Sequence, residues 1–159
     1  MMTKVFLAGC MLLSSLWLRA GWAPDSVQVA LKQLCPAATE VSWTRSYEYY
    51  VAHFVQNGFG MKAWFEADGS WAMKQTDWET MDQAPTAVFN AYTMSDYAMG
   101  DVQDVVLVQF PRWQAIVAVI VGMPNEQVRY LLLYTPDGRL LNARNVTGLY
   151  DVLGAPTFL

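Results

Sequence analysis

One layout occurs twice along this chain, and that duplication limits its possible folds more than any other feature. Pro24, Val27 and Ala30 recur as Pro85, Val88 and Ala91, each displaced by 61 positions. Asp68-Gly69 recurs as Asp137-Gly138, 69 positions on. A proline followed by Val27, Ala30, Leu31 and Leu34 at i, i+3, i+4 and i+7 predicts a helix, with Asp25 and Ser26 as candidate N-caps. Four stretches rich in Trp, Tyr, Phe and Val follow it: Val41–Tyr47, Tyr49–Gln56, Met61–Ala67 and Trp71–Thr76. Asn57-Gly58 and Asp68-Gly69 separate them, and such dipeptides mark tight hairpins because both residue types tolerate positive φ. Behind the second helix come Val102–Phe110, Trp113–Val121, Gln127–Thr135 and Arg139–Asn145. The expected fold class is therefore α+β: two tandem units, each a helix packed on a four-stranded antiparallel sheet, after a cleaved signal peptide. The units span 24–78 and 85–146, with a polar linker at 79–84 and a tail at 147–159. The growth in spacing from 61 to 69 falls in longer strands and in the turn at 122–126, as in a diverged duplication.

Residues 1–23 account for part of the chain's 54% hydrophobic content. Lys4, an apolar run from Val5 to Leu18 and a small-residue region through Ala20 and Ala23 form the three-part layout of an export signal. The run is 14 residues long, below the ~20 that a bilayer-spanning helix needs, so no stable membrane span is expected. Cleavage after Ala20 and after Ala23 both fit. Leu7-Ala8-Gly9-Cys10 spells a lipobox, and anchoring through Cys10 is the alternative to release; the apolar run continues past the cysteine, which favours release. The expected location is periplasmic or secreted.

Loss of residues 1–23 removes Lys4 and Arg19 and no acid, leaving eight Lys and Arg against fourteen Asp and Glu, a net charge of −6. That acidic excess repels phosphates, so no nucleic-acid partner is expected. Cys10 leaves with the signal, so Cys35 stands alone and reads as a small buried hydrophobe. His53 has no second histidine with which to form a zinc site, and its place within Val51–Val55 reads as a locally bonded strand residue. Gly58-Phe59-Gly60 lacks the Lys-Ser or Lys-Thr of a phosphate loop. Asp96, Asp101 and Asp104 lack the spacing of a calcium loop. No catalytic residue, cofactor or metal ligand is expected.

Two successive Pro-x-x-Val-x-x-Ala helices, each followed by a sheet whose last hairpin closes on Asp-Gly, resemble the PepSY-like family, described as β-lactamase-inhibitor-like proteins. Pro24, Val27, Ala30, Trp43, Phe65, Asp68 and Gly69 carry the resemblance in the first copy, and Pro85, Val88, Ala91, Tyr134, Asp137 and Gly138 in the second. The resemblance implies an exported bacterial protein with a helix on one face of a curved sheet and a binding or inhibitory role without catalysis. No family binding residue transfers to this chain.

Strand patterning adds a surface question. Met61, Ala63, Phe65 and Ala67 alternate with Lys62, Trp64 and Glu66, as in a strand covered on one side. Trp113, Ala115, Val117, Val119 and Val121 alternate instead with Ile116, Ala118 and Ile120, which is apolar on both faces. One helix covers one face, so the second must meet the other copy, the tail, a second chain or a partner protein. Trp43, Tyr49, Trp64, Trp71, Trp113 and Tyr130 are the candidate residues of a binding face, since Trp and Tyr are favoured interface anchors. The sequence thus points to an exported, non-catalytic binding module acting on a protein partner. The alternative is a small-ligand or structural envelope module that forms a homodimer through the same face.

Overall fold

A computed structural model describes residues 22–156 of the chain. The expected export signal, Cys10 included, lies outside the described residues except for Trp22 and Ala23. The elements run α1 (Asp25–Leu34), β1 (Thr39–Ser46), β2 (Tyr49–Gln56), β3 (Phe59–Phe65), β4 (Trp71–Asp77), α2 (Thr86–Thr93), β5 (Asp101–Gln109), β6 (Ile116–Met123), β7 (Val128–Tyr134) and β8 (Leu140–Asn145). Neither helix uses a side-chain cap; Pro24 and Pro85 occupy the N-cap positions.

The hairpins follow from local chemistry. Asn57 and Gly58 both take positive φ, 54° and 81°, the condition for a type I′ turn. Glu66 to Ser70 and Thr135 to Arg139 close in the same way as each other: the first residue accepts from the glycine N–H and donates to the last residue's carbonyl. Gly69 and Gly138 sit at φ 95° and 89°, where a side chain is strained. Bulges also occur at corresponding places, at Trp64/Phe65 and Leu133/Tyr134, and at Thr39/Ser42 and Val102/Asp104.

The expected pair of separate four-stranded units is overturned by the strand order, which is one continuous eight-stranded antiparallel sheet, β1 through β8. The joint is β4 with β5, where Lys74, Gln75, Thr76 and Asp77 pair with Gln109, Val108, Leu107 and Val106. Two separate sheets would leave four open edges, and joining them removes two. Polar Lys74, Gln75 and Thr76 disguise β4 as an edge in the sequence, although Gln75 and Thr76 are buried.

Register carries one face unbroken across all eight strands. Ala52, Ala63, Leu107, Val117 and Tyr134 share a face by direct cross-strand pairing and its period-2 alternation, and both helices pack on that side. Val27 and Leu31 of α1 bury against Ala52, Phe54, Ala63 and Phe65. Val88 and Tyr92 of α2 bury against Val105, Val117, Val119, Val121 and Leu132. The opposite face carries a third cluster around Trp64, Met73, Val106, Val108, Ala118, Leu131 and Leu133, and there the C-terminal tail supplies Leu153.

The tail also reports the sheet's curvature. It leaves β8 where the Val146 N–H donates to the Arg129 carbonyl, and reaches β1 where Ser46 Oγ donates to the Gly154 carbonyl. Turns close Val146 onto Leu149 and Asp151 onto Gly154. With those turns the tail advances only about 20 Å, whereas β1 and β8 of a flat sheet would stand about 34 Å apart. The sheet therefore curls toward the tail.

Candidate functional site

Every sheet residue facing the tail is placed there by the same period-2 register. From β2 and β3 come His53 and Lys62, paired directly; from β3 and β4 come Trp64 and Met73, likewise paired. Gln75 and Asp77 follow on β4, Asp104 and Val106 on β5, and Ile120 on β6, opposite Asp104. The tail crosses this face and is held by side chains of four strands. Trp64 Nε1 and Ser46 Oγ both donate to the Gly154 carbonyl at 3.1 Å, and Gln75 Nε2 donates to the Leu153 carbonyl at 2.7 Å. Near its origin, Arg129 donates through a terminal guanidinium nitrogen to the Leu149 carbonyl at 3.2 Å.

Beside the tail lies a cavity of about 470 Å³, walled by the sheet and by Tyr150, Asp151, Val152 and Leu153. Its floor mixes Val106 and Ile120 with Lys62, Asp77 and Asp104. Asp104 follows the β5 bulge, just past the last β4–β5 pair. Burial, and then the neighbouring Asp77 carboxyl that shares a hydrogen bond with it, push the Asp104 carboxyl up to about 6, with Lys62 pulling the other way. His53 bonds Thr44 Oγ1 through Nε2 at 2.7 Å. Burial first and Lys62 second lower its pKa, so the ring is neutral at pH 7. The arrangement offers one shared proton, several carboxylate oxygens and an apolar floor; among the described residues no group of three His, Cys, Asp or Glu could hold a metal ion.

The six aromatic candidates fall into three places. Trp43, Trp71 and Tyr130 lie on the helix side, packed partly buried against the clusters under α1 and α2, with Trp43 against Phe65 and Tyr130 against Tyr97. Tyr49 and Trp64 lie on the tail side, Tyr49 at its margin and Trp64 buried beneath the tail. Trp113 precedes β6, in the β5–β6 connection, and is 78% exposed. Sequence reasoning missed Gln75, Asp77 and the tail's own Leu153 and Gly154. The available signal was the polar run Lys74–Asp77 inside an otherwise apolar sheet.

Cys35 is buried at the end of α1, and burial raises its thiol pKa. No described helix is long and apolar enough to cross a membrane.

No protein-family model matches the chain, and no curated protein matches it. Solved structures do. The chain is 54% identical to a protein of Bacteroides eggerthii described as periplasmic, over 87% of this chain and 100% of that one, with a TM-score of 0.82. A DUF2874 family protein of Bacteroides uniformis is 55% identical over the same shares, also at 0.82. A BLIP-like protein of Bacteroides fragilis is 32% identical over 80% of this chain and 90% of that one, at 0.76. The fold described above is thus a BLIP-like fold.

Proposed function

The chain belongs to the DUF2874 family, and from that premise we propose that it is an exported, non-catalytic module that binds a protein of the envelope or exterior on the face crossed by its tail. The observation that carries this proposal is the asymmetry of the sheet. One face is roofed by two helices, whereas the other, apolar around Trp64, Met73, Val108 and Leu131 and polar toward Lys62, Asp77 and Asp104, is crossed by a single tail that leaves a cavity of about 470 Å³ open beside it. The BLIP-like relative and the periplasmic description of another support the binding role and the location. Regulation or inhibition of that protein, and membership of the PepSY-like pattern, are parts of the same proposal. Tyr49 and Trp113 are the proposed contact residues among the six aromatics, because they border the tail side or project into solvent.

Site-specific photo-cross-linking in the producing cell tests this. Crosslinkers replacing Tyr49, Trp113 and Tyr150 should yield an adduct of one discrete mass, while one replacing exposed Phe89 on α2 should not. Equal adducts from both sides, or none from the tail side, would reject it. The cavity also favours a second reading, a small-ligand module; it would show as adduct-free crosslinkers together with a small molecule co-purifying with the chain.

A further inference from the structure

We infer that the tail face is a groove that recognises an extended peptide segment, and that the chain's own Asp151–Gly154 segment now occupies it as a replaceable stand-in. This rests on the proposal that the tail face is the binding face, and it specifies the chemistry of what binds there. Three side-chain donors from three strands, Ser46 on β1, Trp64 on β3 and Gln75 on β4, converge on two successive carbonyls, Leu153 and Gly154. Donors aimed at main-chain carbonyls read a peptide backbone and leave the side-chain sequence free. Leu153, 7% exposed, packs into the apolar cluster beside them. Among the described residues beyond Val146, the tail's own backbone bonds are the turn bonds at Leu149 and Gly154, and the strands hold it through side chains and, at Thr147 Oγ1, through the Arg129 N–H. A segment held in this way can be exchanged for another presenting the same two carbonyls and an apolar side chain.

The cavity adds a preference that the tail does not satisfy. Glu40, Asp77 and Asp104 line it from the sheet side and Asp151 from the tail, against Lys62 and a neutral His53. The tail therefore adds an acid to a site already rich in acid. A competing segment with lysine or arginine at the position of Asp151 would bring the opposite charge beside Asp77 and Asp104. The favoured ligand is an extended stretch of a protein, a basic residue two positions before an aliphatic one.

A direct test follows the Trp64 indole N–H and the Gln75 carboxamide by NMR in the full chain. In the Leu153→Asp variant both signals should move to unbonded positions. Adding a synthetic peptide of residues 147–156 that carries Asp151→Lys should return them toward their original positions. The tethered tail competes at high effective concentration, so the same peptide should bind the unaltered chain at least tenfold more weakly. The peptide with native Asp151 should bind the variant several-fold more weakly than the lysine peptide at pH 7.5. Should Leu153→Asp not fold, as judged by amide dispersion, Gln75→Leu serves the same comparison through the Trp64 signal. Peptide that leaves the Trp64 signal unbonded, or that binds variant and unaltered chain equally, overturns the inference. Cross-links at Tyr49 and Trp113 alongside such a failure would mean that the face binds a folded surface and not an extended segment. Recovery of the signals without any cross-link would instead sustain the groove and reject the cellular partner.

Discussion

Gly138 and Ala87 approach so closely that a Cβ on the glycine would stand 2.5 Å from the alanine's carbonyl oxygen. The corresponding glycine of the first half, Gly69, meets the Ser26 carbonyl at 2.9 Å, and the Ser26 hydroxyl donates to the Ala67 carbonyl at 2.8 Å. Each Asp-Gly turn thus serves as the seat for the first turn of a helix. Gly58 also has positive φ, 81°, but nothing lies within 4 Å of its would-be Cβ. Gly58→Ala should therefore cost only the left-handed backbone penalty, ~1 kcal/mol, and Gly138→Ala about 3 kcal/mol, because the turn must also move off α2. Urea denaturation of the two variants checks this, and equal losses would refute the seat.

Local pattern made the turns, both helices and all eight strands legible, since proline starts, φ-tolerant dipeptides and β-branched runs act within a few residues. The pairing of β4 with β5 was not legible. Nothing local distinguishes Lys74–Asp77 as a seam strand from the same residues as an exposed edge, and the partner Val106–Gln109 lies some 30 positions away. For the same reason Asp77 and Asp104 looked unrelated, although register brings them together. Trp113 fitted the alternation of β6, but Pro111 lies two residues before it and the strand starts at Ile116. The second apolar face was visible as a pattern; that a tail from the far edge would cross it depends on curvature, which alternation does not encode.

The carboxyl pair makes stability depend on pH in a definite direction. Asp104 is raised from its ordinary 3.8 to about 6, so the fold favours its protonated form. Its contribution is full below about pH 4 and is lost as pH rises through 6. Asp104→Asn should stabilise the chain above pH 7 by ~1 kcal/mol after allowance for partial solvent exposure, and by nothing below pH 4. The lowered His53 acts oppositely, losing stability as pH falls, so the difference between variant and native melting curves is the quantity to plot. A difference that is flat from pH 4 to 8 would remove the shared proton from the account.

Cys35, 1% exposed and with its thiol pKa raised, should be chemically inert in the folded chain. A thiol reagent at pH 8 should label it at the rate of unfolding, with labelling becoming rapid in denaturant. Cys35→Ser, which buries a hydroxyl in an apolar site among Leu31, Phe54 and Phe65, should cost ~1–3 kcal/mol. Fast labelling of the native protein would mean that the end of α1 opens on its own.

Trp22 and Ala23 bear on where the expected export signal would be cleaved. Ala23 is 3% exposed, and its carbonyl accepts from Gln28 Nε2 at 2.7 Å, tying the segment to α1. The Trp22 ring lies 6.0 Å from that of Tyr50, whose face also carries the Arg45 guanidinium at 4.1 Å. Processing after Ala23 would discard both residues and uncover Tyr50, whereas processing after Ala20 keeps the stack intact. Intact mass of the exported protein should accordingly place Gly21 first. A chain starting at Pro24 should melt several degrees lower than one starting at Gly21, for a loss of ~1–2 kcal/mol from the Trp22 contact and the Gln28 bond. Equal melting temperatures for the two chains would show that the stack contributes nothing, and a natural N-terminus at Pro24 would contradict the assignment of the cleavage site.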